Sequence, residues 1–528
     1  MTEPGVISKA STNSPSAGLV GGIRARLARA VTRGRQCWWM GVATAVVATG
    51  TLLRLCQLDL KPLHHDEGVN GFFLLGLFRE GIYRYNAANY HGPTLYYFAL
   101  SSCSVNNLLT AAEGPSTIVV RVVPVLFGIG VLVLLLNLRH RLGDAGTLTA
   151  IVLAALSPGM VYISRDFIHE MLLVFFTLWL VVCGLQFWDT NKPRHLMLAS
   201  IAAALMFCTK ETALISIVAL GLSAGFTLIW IPGHKKLIAR EWGGWRRITL
   251  LALASGVLFL TSAFLFFSSF LGNYPQGIHD AVTTYSYWAR TGMIEHTAPW
   301  YTYMLWLIRE EGPILILGMA GTALALFQRR NRFAVFAGTW AVGLLVAYSI
   351  LPYKTPWILP NMVLPMSLAA GNATQELWDT STAFARSTIA RLAPGVLLFF
   401  ALAVCFYQSV QLNFFHYDDD RYAYPYAQTR RAFLDLVDQV NGIAGNAGSR
   451  FETRIAVLSP EYWPLPWYLR DYKNVSYYSQ IVPTSSTIVI GSKKQVVELT
   501  LSLAGRYRFV GSYALRPGVD LVLFVANK

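Results

Sequence analysis

Four short stretches carry side chains able to move protons or hold charge, each at the edge of an apolar run. HHDEG supplies His64, His65, Asp66 and Glu67. Adjacent carboxylates at a membrane surface are costly unless paired or used. Asp66 could take the proton of an attacking hydroxyl as a general base, or the group could simply be a solvated helix start. SRDFIHE supplies Arg165, Asp166, His169 and Glu170. If a helix begins at residue 166, Asp166 and Glu170 share one side at i, i+4, and capping of the positive helix end is the competing role. TKET sets Lys210 and Glu211 inside an apolar hairpin, where ionisable groups are functional candidates and a plain structural ion pair is the alternative. In LPYKTPW, Lys354 stands between two prolines, where its ammonium could hold a lipid phosphate or snorkel to the interface.

Residues 272–312 add Trp288, Glu295, His296, Trp300, Tyr301, Glu310 and Glu311. Aromatic faces beside carboxylates suit sugar recognition, because rings stack on C–H faces while polar groups bond hydroxyls, although interfacial aromatic belts look similar. His64, His65 and Asp66 also have the chemistry of ligands for a divalent metal, without HExxH-type spacing to support one. The six cysteines all lie in apolar stretches and form no CxxC pair, so neither a disulfide framework nor a thiolate zinc site is expected.

The elements that must position these groups are membrane helices. Of 528 residues, 54% are hydrophobic and 13% charged, with mean hydropathy +0.44, against about 25% charge in ordinary soluble chains. Long apolar runs occur near 37–56, 118–138, 146–164, 169–188, 195–231, 248–270, 313–327, 333–351, 356–372 and 394–412. The 195–231 run is long enough for two helices turning at Lys210 and Glu211. The polar-studded 94–110 run reads as interfacial or re-entrant. On that choice the cytoplasmic side, N-terminal tail included, holds 20 Lys/Arg against 6 Asp/Glu, and the opposite side before residue 414 holds 10 against 12. This satisfies the positive-inside rule and reads the net charge of +15 as basic loops rather than nucleic-acid binding.

The expected organisation is a disordered basic cytoplasmic tail over 1–36, a membrane domain over 37–413 with large outer loops 57–117 and 272–312, and a soluble extracytoplasmic α/β domain over 414–528. In that last part 426–444 reads as an amphipathic helix, and RIAVLS, STIVIGS, YRFVGSYAL and VDLVLFVA read as strands. The default location is a bacterial cytoplasmic membrane.

HHDEG after the first span, HGPTLYY some 25 residues later, SRDFIHE, TKET and a soluble C-terminal domain together resemble the C-type-fold (GT-C) membrane glycosyltransferases of family 39. That family includes the protein O-mannosyltransferases and the aminoarabinose transferase of lipid A. HHDEGVN, NYHGPTLYY and LPYKTPW resemble most closely the flippase-activity-associated family of archaeal glycosylation, a likeness that covers the membrane region and to which the C-terminal domain adds little. The resemblance implies about 11–13 transmembrane helices and inverting transfer of a sugar from a polyprenyl phosphate. It implies Asp66 as base with Glu67 assisting or orienting it, and His91, Arg165, Lys210 or Lys354 at the departing phosphate. His65, Asp166, Glu170, Glu211, Trp300 and Tyr301 would then face acceptor or sugar. The acceptor would be a glycolipid, polysaccharide or protein, with no cofactor beyond a possible metal. The chain lacks inserted β-trefoil repeats, which counts against a protein Ser/Thr acceptor.

Two other classes fit the same composition: a transporter or flippase for lipid-linked sugars, and a non-catalytic glycolipid-binding partner. The first would show two related halves with broken helices in matching places, a duplication the chain lacks.

Overall fold

The computed structural model describes residues 15–86, 91–110, 114–231, 242–291, 296–384, 388–445 and 450–527. Helices α1 (Pro15–Leu55), α4 (Thr117–Leu135), α5 (Arg139–Leu156), α7 (Glu170–Thr190), α8 (Pro193–Phe207) and α9 (Ala213–Trp230) form the first half of a bundle. Two shorter helices, α2 (His65–Glu80) and α3 (Thr94–Thr110), lie between α1 and α4, and α6 (Pro158–Ser164) between α5 and α7. The second half comprises α10 (Trp245–Phe267), α11 (Gln276–Thr291), α12 (Thr302–Glu310), α13 (Gly312–Gln328), α14 (Arg332–Ile350), α15 (Leu359–Phe384) and α16 (Thr388–Val410).

Seven helical stretches among the described residues are long and apolar enough to cross a membrane, or eight if α12 and α13, bent by 111°, form one span. One of the seven runs over Thr117–Leu156. It is folded back on itself, since Leu132 and Ala155 both approach Gly50 and Gly143 breaks the helix at φ 75°. With α8 and α15, each of the ten expected runs contains a helix, and the 195–231 run divides into two at 208–212, around its ionic pair. The 94–110 run is one helix whose inward face is Thr94, Leu95, Tyr96, Ala99 and Cys103.

The N-terminal expectation changes. Helix α1 begins at Pro15, so the segment read as disordered over 1–36 is helical from that residue on, and residues 1–14 lie outside the described ones. Its Arg, Ala and Leu are good helix formers, and the span that follows supplies the nucleus from which helix propagates cheaply.

The C-terminal part is a five-stranded sheet of order β2-β1-β3-β5-β4, with β1 Ile455–Leu458, β2 Val475–Tyr478, β3 Ile488–Ser492, β4 Tyr507–Arg516 and β5 Val519–Ala526. Strand β1 is parallel to β2 and β3, while β5 is antiparallel to β3 and β4. Ile455, Val457, Ile488 and Ile490 face α17 (Phe433–Gly445), and Ala456, Leu458 and Val489 face Leu499 and Leu503 of α19 (Val496–Leu503). Two buried faces explain why these strands read as continuous apolar runs. Two readings are corrected. The short edge strand β2 went unseen, and the helix expected from 426 starts at Phe433 because 416–431 is a linker clamped to the bundle. Gln428 there donates to the Pro62 carbonyl at 3.0 Å.

The sheet domain also grips the bundle through α18 (Leu465–Tyr468). The Tyr468 hydroxyl accepts from the Leu63 backbone N–H at 2.9 Å, and Trp467 and Pro464 lie so close to Gly71 and Gly68 of α2 that a Cβ on either glycine would collide. Helix α2, which carries Asp66, is thus held between bundle and domain.

Candidate functional site

HHDEG, HGPT, SRDFIHE and TKET meet in the structure, which sorts most of their charged groups into two ionic clusters. The first is closed. Glu67 is fully buried; its Oε1 accepts from Arg121 Nε at 2.8 Å and from the Phe167 N–H at 2.7 Å. Its Oε2 accepts from Arg121 at 2.6 Å and from the His64 N–H at 2.9 Å. A carboxylate offers about four lone-pair sites, so Glu67 has none left to accept a substrate proton. Burial alone would raise its pKa, but the bidentate Arg121 guanidinium holds it below the usual carboxylate value. Arg121 also donates to the carbonyls of Leu58, Lys61 and Pro62. Beside it Lys61 pairs with Asp166 and lies 3.4 Å from the Tyr162 ring centre.

The second cluster buries Lys210, Glu170, Glu211 and His169 as well, but it opens at its edge, where the His91 and Asp66 side chains are partly exposed. His91 and Lys210 form an isolated antiparallel bridge: the Gly92 N–H donates to the Thr209 carbonyl at 3.0 Å and the Thr94 N–H to that of Cys208 at 3.3 Å. This approach requires glycine, because a Cβ on Gly92 would collide with the Cys208 carbonyl. HGPT and TKET, far apart in the chain, are knitted into one surface. There His91 Nδ1 lies 3.2 Å from Glu211 Oε2, Lys210 pairs with Glu170, and His169 Nε2 donates to the Gly92 carbonyl at 3.0 Å.

Asp66 faces this second cluster. Its carboxylate is 44% exposed and accepts no hydrogen bond among the described residues. Burial would raise its pKa, but His64, His65, His91 and Lys210 together bring it below the usual value, so it is ionised at neutral pH. His65, pushed down to about 4 by burial, is neutral there. His64 caps α2: its Nδ1 accepts the Asp66 N–H at 3.1 Å while Glu67 takes the His64 N–H.

The remaining expected residues are placed elsewhere. Asp166 and Glu170 do not share a helix side. Helix α7 begins only at Glu170, and 165–169 is a turn pinned by Glu67 and by Asn70, whose side-chain amide donates to the Phe167 carbonyl at 2.9 Å. Asp166 therefore belongs to the closed cluster and Glu170 to the open one. Arg165 donates to the carbonyls of Leu53, Cys56 and Gln57 at the end of α1. Lys354 donates to those of Tyr348, Ser349 and Leu351 at the end of α14. Both cations satisfy helix C-termini. Trp300 and Tyr301 are exposed and pack edge to face at 5.7 Å. Glu310 and Glu311 bind the linker instead of facing a substrate: Glu310 accepts the Ala423 N–H and Glu311 the Tyr424 hydroxyl. Glu295 lies outside the described residues. Among the described residues no three His, Cys, Asp or Glu converge on a metal position. Both His64 nitrogens are engaged, Nε2 with the Tyr426 carbonyl, and His65 Nδ1 faces Arg516.

The sequence reading missed Lys61, Arg121, Asn70 and the structural use of His169. Arg121 carried a signal, because an arginine inside TIVVRVVPV is costly without a buried partner.

Residues 105–272 match the family described as dolichyl-phosphate-mannose-protein mannosyltransferase. No sequence relative is found among curated proteins. In overall structure the chain is similar to ArnT from Cupriavidus metallidurans bound to undecaprenyl phosphate. The TM-score is 0.63 at 15% identity, over 92% of this chain and 98% of that one. The apo state of the same protein gives 0.63 at 16%. The S. cerevisiae Pmt1-Pmt2 complex bound to its sugar donor aligns over 46% of this chain with a TM-score of 0.35. Fold and sequence match together define a class: a polytopic membrane protein of the GT-C glycosyltransferase fold. The sequence likeness to the mannosyltransferase family extends over residues 105–272 of the 528.

Proposed function

We propose that this protein is an inverting glycosyltransferase that moves a sugar from a polyprenyl phosphate to an acceptor hydroxyl at the extracytoplasmic face of the cytoplasmic membrane. The observation that carries the reading is the open Asp66 carboxylate, ionised and facing Lys210 and His91 beside a neighbour, Glu67, that has no free lone pair. Asp66 accepts the proton of the acceptor hydroxyl as its oxygen bonds to the anomeric carbon. The bond from that carbon to the phosphate oxygen breaks, and the polyprenyl phosphate leaves with the electron pair. Lys210 and His91 hold the developing phosphate charge, which can replace a dedicated acid because a phosphate monoester is already a good leaving group. The fold match to a protein solved with undecaprenyl phosphate supports a lipid-borne donor. The N-terminus is cytoplasmic and the sheet domain extracytoplasmic on this reading, as the Lys/Arg distribution requires. Arg165 and Lys354 act as helix caps and are left out of the phosphate site.

The test is product formation by purified protein in liposomes offered polyprenyl-phosphate hexoses and pentoses with a membrane glycolipid extract, read by mass spectrometry. Transfer by wild type and none by Asp66→Asn is expected. Lipids that cross the bilayer without a new glycosidic bond would replace this reading with transport.

A further inference from the structure

A cavity of about 500 Å³ lies where bundle, linker and sheet domain meet. Helix α12 contributes Trp306 and Arg309 to its wall, the linker Tyr422 and Tyr426, and the sheet domain Glu461 and Arg516. It adjoins the residues that flank Asp66. Arg516 lies 3.4 Å from His65 Nδ1, and the Tyr426 carbonyl accepts from His64 Nε2 at 3.1 Å. From these contacts, and resting on the transfer reading above, we infer that this cavity is the acceptor subsite and that the acceptor is a carbohydrate. The sheet domain would then build the acceptor side of the site.

The wall chemistry selects the ligand class. Its charges are largely paired, Arg516 with Glu461 at 2.8 Å, Arg421 with Asp419 at 2.6 Å, Asp420 with Arg430 at 3.4 Å and Arg309 with Glu310 at 3.9 Å, so the cavity has little net charge with which to recruit an ion. What it presents is fixed donors and acceptors beside three partly exposed rings, and sugars need both, hydrogen bonds for hydroxyls and flat apolar faces for C–H surfaces. The volume falls in the range of small-ligand sites, roughly 300–1,000 Å³, and suits a terminal one- or two-sugar unit. A free glycan and a glycolipid headgroup share that chemistry.

Saturation-transfer NMR on the full-length protein in nanodiscs tests the assignment with methyl and octyl glycosides of mannose, galactose, glucose and arabinose, and a Ser/Thr-rich peptide. At least one glycoside should be saturated by wild type. The signal should fall at least fivefold in Trp306→Ala and in Arg309→Gln, whose side chain is 62% exposed and whose amide puts no like charge beside Glu310, with an unchanged unfolding temperature as the control for the fold. A stronger response to octyl than to methyl glycosides identifies a glycolipid headgroup and an equal response a free glycan; either upholds the subsite. Binding that ignores both substitutions, or a peptide response without a sugar response, overturns it. The readout is binding, so it stands apart from whether Asp66→Asn stops transfer.

Discussion

The two ionic clusters are assembled from the same motifs, yet they are built for opposite ends. In the closed one every lone pair of Glu67 is occupied and Arg121 is wholly buried. In the open one the Asp66 carboxylate is partly exposed and aimed at cations. Residues adjacent in sequence part company because each helical step turns about 100°, which sends Asp66 and Glu67 to different sides of α2. Asp166 and Glu170 separate for a different reason, since a turn pinned by Glu67 and Asn70 intervenes. The lesson is that a carboxylate's motif does not assign its role. On the proposed reading, saturated hydrogen bonding leaves Glu67 to hold the scaffold, and the unsaturated Asp66 carboxylate in a positive field is the one left for chemistry.

The sharpest way to break the comparison is to neutralise the neighbours one at a time. Asp66→Asn should lower transfer by about 10²–10⁴-fold, the usual worth of a general base, with the unfolding temperature unchanged. Glu67→Gln should do the reverse. It leaves Arg121 buried without its counter-charge, which costs about 3–5 kcal/mol, so the variant should show lost thermal stability and poor yield in detergent. A stable Glu67→Gln with activity loss matching Asp66→Asn would merge the two clusters into one catalytic unit.

The open cluster makes a weaker but sharper demand of Lys210. Lys210→Met should slow turnover per folded enzyme by roughly 10²-fold, within the range seen when one charge-stabilising donor is removed, and, because it leaves buried Glu170 without its partner, it should lower the unfolding temperature as well. It should also move the pH profile. Wild-type kcat/KM should hold steady as pH falls from 7 and drop only below the ordinary carboxylate value, because the folded pKa of Asp66 is depressed and its basic form is lost as pH falls through that value. Removing Lys210 removes one of the charges that depress it, so the acid limb should begin at a higher pH. A wild-type limb between pH 5 and 7 would point to a different base.

Much of this was legible in the residues. The membrane runs, the break at Lys210 and Glu211, and the strands buried on both faces all follow from hydrophobic period and length. What could not be read was pairing at distance. Nothing in HGPT or TKET announces that Gly92 will lie against Cys208, and nothing in SRDFIHE says that Asp166 will find Lys61 while Glu170 finds Lys210. The edge strand β2 escaped because VSYY is four residues long and alternates between half-buried and exposed.

The smallest expected effect tests the cations that the resemblance placed at the phosphate. Lys354 is buried and its ammonium is bonded to three carbonyls at the end of α14, which leaves it no donor to turn toward a ligand without uncapping that helix. Lys354→Met should therefore cost about 0.5–2 kcal/mol of stability, the range for a charge on a helix terminus. The donor KM should stay within about twofold of wild type. Set against Lys210→Met, the pair separates cations that hold the fold from those that hold the leaving group. If Lys354→Met instead kept its unfolding temperature and raised the donor KM tenfold, the ammonium would have to leave α14 when lipid binds, and the open cluster would extend to the LPYKTPW turn.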